Sequence, residues 1–122
     1  MKLLRSFGFA FSGIIGCFKS ELNFRIHIGL TILAVMLSIA CNLSAKEWAV
    51  VLFCIVFVIA MEMFNTAVEK LCDIVHKEVH PGIKKVKDIS AGAVLVSALF
   101  SLVTAAVVFL PKIITLIKSF YK

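Results

Sequence analysis

Three carboxylates and one carboxamide recur on one side of a single apolar segment. Glu62, Asn65, Glu69 and Asp73 follow one another at intervals of three or four residues, the spacing that places side chains on one face of an α-helix. Carboxylates that share a helix face repel each other unless protons or cations lie between them. The pattern, called here the acidic stripe, therefore predicts a cation site, a proton relay or contact with basic partners.

Glu62 is the member of the stripe that most needs a functional reason. It directly follows the apolar residues 58–61, and no basic residue lies within one helical turn of it. Ionisable side chains at membrane depth are costly and usually functional. The other members also have simpler interpretations: Asn65 as a hydrogen-bond partner of a neighbouring helix, Glu69 as the partner of a loop lysine, and Asp73 as a solvated residue at headgroup level.

Further charged residues near the stripe suit phosphate chemistry. Oxygen ligands from Glu21, Glu69 and Asp88 fit Mg²⁺, which proteins usually hold with a few carboxylates together with substrate phosphates. Three lysines that would suit phosphate, or would simply anchor the chain at the membrane surface, are Lys84, Lys85 and Lys87. The sequence contains no P-loop, no dinucleotide-binding glycine motif and no protein-kinase motif. Phosphoryl chemistry would therefore depend on carboxylates, Mg²⁺ and lysine.

The composition places these residues in a membrane protein. The chain has 122 residues, of which 61% are hydrophobic and 16% charged, and its mean hydropathy is +1.07, whereas soluble domains have about 45–50% apolar and about 25% charged residues. This length predicts one domain over residues 1–122. The net charge of +6 does not indicate a nucleic-acid partner, because the basic residues flank the apolar runs, where they orient helices and contact anionic lipid.

Hydropathy and periodicity predict an all-α integral membrane fold. Three transmembrane helices are expected at about residues 24–43, 48–75 and 88–110, with the last closed by Pro111. Residues 1–20 carry apolar side chains at helical spacing, which predicts an amphipathic helix on the membrane surface. The competing interpretation is a lipoprotein signal peptide that ends at Cys17.

Lysine and arginine counts predict the orientation of these helices. Nine of them lie in the N-terminal segment and around the loop between the second and third spans, and four lie on the opposite side. By the positive-inside rule the first group is cytoplasmic, as is the acidic stripe. The four cysteines lack metal-site spacing and are expected as buried reduced thiols, while small residues at every fourth position of the third span, from Ala93 to Ala105, favour close helix packing.

Three motifs in this chain resemble the prokaryotic diacylglycerol kinase family. They are Glu21-Leu-Asn-Phe-Arg-Ile-His27, Glu62-Met-Phe-Asn-Thr-Ala-Val-Glu69 with Asp73, and Lys87-Asp88 with the following Ser-Ala-Gly-Ala-Val-Leu. The resemblance covers nearly the whole chain. It implies a bacterial inner-membrane homotrimer with active sites shared between subunits on the cytoplasmic side, and transfer of the ATP γ-phosphate to a lipid hydroxyl.

The resemblance also implies a role for each matching residue. Glu62 would contact the lipid substrate and act as general base, with Asn65 helping to position it, and Glu21 and Glu69 would hold Mg²⁺. The residues implied to bind ATP and its metal are Phe9, Glu21, Glu69, Asp73, Glu78, Val79, His80, Lys87 and Asp88. Phe9 stands where some members have tyrosine, and it lacks the hydroxyl of that tyrosine.

Local differences in sequence indicate which of two lipids is the expected substrate. The segment from Asn23 to His27, together with Glu47-Trp48 and His80-Pro81, is more similar to the undecaprenol kinase branch than to the diacylglycerol branch, in which an acidic residue tends to replace His27. Undecaprenol is therefore the expected substrate and diacylglycerol the alternative. Two other classes remain open from the residues alone: a small proton or cation channel, which the apolar residues 51–59 disfavour, and a structural membrane protein.

Overall fold

The computed structural model describes residues 2–76, 78 and 80–121, and within them the chain is entirely helical apart from short connections. A single residue, Glu21, separates the first two helices, while the other connections are slightly longer. The helices, in chain order, are α1 (Lys2–Ser20), α2 (Leu22–Ala40), α3 (Ala45–Val75) and α4 (Pro81–Phe120).

Three of these helices are long and apolar enough to cross a membrane. They are α2, α3 and α4, and α1 precedes them as a separate helix. The rest of the chain does not cover the apolar face of α1. Among the described residues of that helix, only Cys17 is buried. The architecture confirms the prediction of three apolar spans preceded by an N-terminal helix.

Local sequence determines where α3 and α4 begin. At the start of α3, Ser44 and Glu47 form a capping box: the Ser44 backbone N–H donates to Glu47 Oε2 at 2.7 Å and the Glu47 N–H donates to Ser44 Oγ at 3.4 Å. At the start of α4, His80 Nδ1 accepts from the Gly82 N–H at 3.1 Å, and Pro81 occupies the first turn. Pro81 and Gly82 therefore open a helix, because the first turn does not need the proline N–H.

The C-terminal end of α4 differs from the sequence-based expectation. Pro111 does not close the helix, which continues to Phe120 and reaches 40 residues. Proline removes one intrahelical hydrogen bond, and in an apolar sequence this loss bends a helix more readily than it ends one. The helix after Pro111 is supported by the Thr115 hydroxyl, which donates to the Pro111 carbonyl at 2.9 Å, and by an ion pair of 3.1 Å between Lys112 and Glu47.

The α3–α4 interface is the most extensive in the molecule, and small side chains of α4 allow it. Ser97 is only 1% exposed. Its hydroxyl donates to the Val94 carbonyl at 2.7 Å, and the Ser101 hydroxyl donates to the Ser97 carbonyl at 2.9 Å. Both hydroxyls are therefore satisfied within α4, which leaves a smooth surface for close helix contact.

A small apolar core closes the end of the bundle that lies away from the acidic stripe. It contains Cys41, Leu43, Val51 and Phe109, with Trp48 packed against it. Two of the four cysteines, Cys41 and Cys54, are buried near this end, and all four are buried and unpaired with each other. The prediction of buried free thiols is confirmed.

Substitution of Ser97 by leucine tests the close α3–α4 packing. The Ser97→Leu variant adds two non-hydrogen atoms at a position that is only 1% exposed, which should lower the free energy of unfolding by about 1–3 kcal/mol. Thermal unfolding in detergent measures the change, with Val96→Leu, at the exposed neighbouring position, as the matched control. Equal melting temperatures for the two variants would contradict the tight interface.

Candidate active site

The acidic stripe begins at the most deeply buried carboxylate of the described chain. Glu62 is 3% exposed and Asn65 is 7% exposed, and Thr66 beside them is buried as well. All three lie on α3, which runs without interruption from Ala45 to Val75. The continuous helix holds Glu62 and Asn65 on its inner face, as the spacing predicts.

Asn65 forms a hydrogen bond within the acidic stripe and keeps one acceptor atom without a partner among the described residues. Its Nδ2 donates to Glu69 Oε1 at 3.2 Å. Its Oδ1 is buried and has no hydrogen-bond partner among the described residues. An unsatisfied buried acceptor costs about 1–3 kcal/mol, so this oxygen is available for a donor that the chain itself does not supply.

Glu62 is surrounded by titratable groups from two helices. His27 of α2, Glu69 and Glu21 are the groups that lie close enough to affect its charge. Within the part of the chain that the structure describes, no hydrogen bond or ion pair joins the Glu62 carboxylate to another side chain. Its oxygens are therefore free to accept a hydrogen bond from a bound molecule.

Glu21 lies at the junction of α1 and α2 and is tied to α3. Lys70 Nζ lies 3.8 Å from Glu21 Oε1 and donates to Ser20 Oγ at 3.3 Å, while the Ser20 hydroxyl donates to Glu21 Oε1 at 2.8 Å. This cluster fixes the end of α1 against the polar half of α3. Lys70 and Ser20 were not identified as site residues from the sequence, because only the fold brings Lys70 and Ser20 together.

A polar pocket of about 240 Å³ lies beyond the stripe, at the junction of α3 and α4. Lys87 forms an ion pair with Asp73 across it, and the rings of His76 and His80 lie 5.4 Å apart. The residues that line the pocket are Asp73, His76, Glu78, His80, Ile83, Lys84 and Lys87. Four of the residues that the resemblance assigns to the nucleotide are thus brought together here.

The remaining residues assigned to the nucleotide are placed differently. Phe9 is exposed on α1, away from any described contact with the stripe. Asp88 is exposed and pairs with Lys84 along α4 at 3.8 Å, and Val79 lies outside the described residues. One chain therefore collects part of the set, with Asp88 adjoining the pocket through Lys84, and leaves Phe9 outside it.

An apolar cavity of about 360 Å³ lies between α2, α3 and α4, on the other side of Glu62 from the polar pocket. His27 and Ile59 belong to its lining, and the other lining side chains are mostly apolar, with three hydroxyl groups from Thr31, Ser101 and Thr104. Ile59 lies one helical turn before Glu62 on α3. No sequence pattern predicts this cavity, because its lining is divided almost equally among three helices.

Comparison with known proteins identifies the family. A sequence model of the family described as prokaryotic diacylglycerol kinase matches residues 8–109. The chain belongs to the prokaryotic diacylglycerol kinase family. It is therefore a multi-pass membrane lipid kinase, and the channel and structural-protein interpretations are set aside.

Individual relatives in this family carry two substrate names. The chain is 32% identical to an undecaprenol kinase of Bacillus subtilis over 92% of this chain and 91% of that protein. It is also 32% identical to a diacylglycerol kinase of Synechocystis, over 93% of this chain and 66% of that protein. A diacylglycerol kinase of Pseudomonas aeruginosa is 27% identical over 89% of both chains.

Membership in the family implies two chemically different ligands. A lipid kinase transfers a phosphoryl group from a water-soluble nucleotide, ATP, to a hydrophobic alcohol. The polar pocket contains lysines suited to phosphate, the apolar cavity suits a hydrocarbon chain, and Glu62 lies between the two. Phosphoryl transfer depends mainly on positioning and charge stabilisation, which this arrangement can supply.

Substitution of Asn65 by leucine separates its role in catalysis from its role in stability. The Asn65→Leu variant removes the bond to Glu69 together with the unsatisfied Oδ1, so we expect the free energy of unfolding to stay within about 1 kcal/mol of the parent. We expect kinase turnover to fall by roughly tenfold or more, since the polar contact near Glu62 is lost. Melting temperature and turnover measured on the same preparation check both. A large loss of stability with normal turnover of the folded fraction would make Asn65 a purely structural residue.

Proposed function

We propose that this kinase transfers the γ-phosphate of ATP to the hydroxyl of undecaprenol and forms undecaprenyl phosphate and ADP. The observation that carries the proposal is the buried Glu62, which has no partner among the described side chains and follows by one helical turn Ile59, a lining residue of the almost wholly apolar cavity. A lipid hydroxyl that donates to Glu62 would supply the hydrogen bond that the chain leaves open.

Glu62 is the proposed general base. Its carboxylate accepts the hydroxyl proton as the lipid oxygen bonds to the γ-phosphorus, the bond from that phosphorus to the β,γ-bridging oxygen breaks, and ADP takes the released electron pair. Asn65, one helical turn away, is the proposed positioning residue. Its free Oδ1 and its bond to Glu69 would orient the polar end of the site.

Glu21 and Glu69 are the proposed Mg²⁺ ligands. The described residues of one chain contain no cluster of three side chains that could hold a metal alone, and this fits Mg²⁺, which usually takes one or two carboxylates together with phosphate oxygens and water. When bound, the ion would neutralise charge on the transferring phosphate. Both carboxylates lie within electrostatic reach of Glu62, which supports their assignment to the same site.

The polar pocket is the proposed nucleotide site. Lys87 would neutralise phosphate charge after exchanging its present partner, Asp73, for the nucleotide. The further residues proposed to contact ATP are Phe9, Asp73, Glu78, Val79, His80 and Asp88. Because Phe9 is exposed on α1 and is not among the residues that line the pocket in one chain, we propose that a homotrimer completes each site with residues from a neighbouring subunit.

Two observations favour undecaprenol over diacylglycerol. The hydroxyl of diacylglycerol adjoins two ester groups that need polar contacts, whereas the hydroxyl of undecaprenol adjoins hydrocarbon, which matches a mostly apolar cavity in which the Ser101 and Thr104 hydroxyls already donate to helix carbonyls. In addition, the undecaprenol kinase of Bacillus subtilis aligns with this chain over almost the full length of both proteins. We also propose that the site faces the cytoplasm, where the excess of lysine and arginine orients the chain.

Phosphate transfer from labelled ATP tests the proposed substrate. We expect purified protein in mixed micelles to phosphorylate undecaprenol at least about tenfold more efficiently than diacylglycerol, a ratio that corresponds to about 1.4 kcal/mol, and to lose activity when Mg²⁺ is chelated. Preference for diacylglycerol would overturn the substrate assignment. Absence of transfer to either lipid by folded protein would overturn the proposed reaction.

Substitution of Glu62 by glutamine tests the general base. The Glu62→Gln variant keeps the shape of the side chain and removes its basicity, so turnover should fall by about 100-fold or more, while stabilisation of the protein by ATP and Mg²⁺ against heat should persist. Glu47→Gln is the matched control at the other end of α3, because glutamine still completes a capping box. Turnover of Glu62→Gln close to that of Glu47→Gln would contradict the assignment.

A further inference from the structure

The end of α4 extends past the layer in which the other helices lie. The uncharged stretch of residues 89–110 spans about 33 Å as a helix and already matches a hydrocarbon core of about 30 Å. The ion pair between Lys112 and Glu47 lies at the level of the α2–α3 connection. The nine residues from Lys112 to Phe120 add about 13 Å beyond this boundary, and they lie outside the matched family region, which ends at residue 109.

This terminal segment, residues 111–121, is strongly amphipathic. At about 100° per residue, all six of its large apolar side chains fall within an arc of about 160°. These residues are Ile113, Ile114, Leu116, Ile117, Phe120 and Tyr121. The opposite arc carries Thr115 and Ser119, and Lys112 and Lys118 lie at its two borders with the apolar face.

Most of this apolar face is uncovered by the described chain. Ile113 packs against the apolar core, but Ile114 and Ile117 are about half exposed, and Phe120 and Tyr121 are 84% and 89% exposed. Because the segment lies beyond the boundary of the hydrocarbon core, the lipid chains around the transmembrane helices do not cover this face. An exposed apolar face of this kind indicates contact with a lipid surface or with another protein.

We propose that residues 111–121 form an interfacial anchor that seats on anionic lipid headgroups at the membrane surface opposite the Glu62 site. Lysines that border an apolar face can extend their ammonium groups to lipid phosphates while their aliphatic stems and the apolar face enter the acyl boundary. The terminal Phe120 and Tyr121 match the preference of aromatic side chains for the interface. Pro111 lies at the start of the segment, where the missing hydrogen bond allows the helix to change direction.

The charge pattern favours a lipid surface over a second copy of the chain. Apart from Lys112, which Glu47 already engages, the segment carries Lys118 and no acidic residue. Identical segments packed side by side would therefore place like charges together, whereas an anionic lipid surface attracts each lysine.

Tryptophan placed on either face of the segment tests the anchor in the full-length protein. With Trp48, the single tryptophan, replaced by phenylalanine, Phe120→Trp reports on the apolar face and Ser119→Trp is the matched control on the polar face. In nanodiscs of phosphatidylcholine and phosphatidylglycerol, we expect quenching of Phe120→Trp by shallowly brominated lipids to exceed that of Ser119→Trp by roughly twofold or more, and quenching by aqueous acrylamide to show the reverse order.

The charge of the headgroup is tested in the same system. Omission of phosphatidylglycerol, or addition of Lys118→Glu to the Phe120→Trp protein, should each reduce the lipid quenching. Equal acrylamide quenching on both faces would overturn the anchor, because the segment would then project into water. Protection from acrylamide without lipid quenching would overturn it in favour of contact between copies. Lipid quenching that is independent of phosphatidylglycerol would overturn the assignment to anionic headgroups.

Discussion

The structure depends on keeping one carboxylate, Glu62, buried at the boundary between the polar and apolar parts of a membrane helix. An ionisable group at such a depth is costly, and polar side chains from the same helix and from α2 lie around it. Asn65 and Glu69 follow on α3, and His27 approaches from α2. The close α3–α4 contact, which Ser97 permits, protects the inner face of α3 from lipid. The same few residues therefore pack the helices together and surround Glu62.

Three of the remaining carboxylates of the polar half, those of Glu21, Asp73 and Asp88, lie beside lysines from other elements or other turns. Lys70 reaches Glu21 across the α1–α2 junction, and Lys87 of α4 reaches Asp73 of α3. These pairs are largely exposed, so each adds little to stability. Their main effect is to hold acidic groups close together without strong repulsion, at positions where a cation or a phosphate could exchange with a lysine. This arrangement suits a kinase, whose nucleotide and metal must bind and leave in every cycle.

The two ends of the bundle serve different physical purposes. The polar end gathers charged side chains around a pocket, and the other end is closed by a small apolar core around Phe109 and by the pair of Glu47 and Lys112. The apolar cavity runs along the helices from Phe109 to His27 and Ile59. A lipid alcohol is the kind of substrate that matches such a gradient, because its hydroxyl belongs at the polar boundary and its chain belongs in the hydrocarbon.

The sequence by itself determined the helical spans, the face of α3 that carries the acidic stripe and the burial of Glu62, because helical periodicity and hydropathy are local properties of the chain. It also carried the motifs that indicated the family. It did not determine that α4 continues through Pro111, because a single lost hydrogen bond competes there with support from Thr115 and Glu47. Only the tertiary structure paired Lys70 with Glu21 and formed the apolar cavity, since both depend on residues that are distant in the sequence and that packing alone brings together.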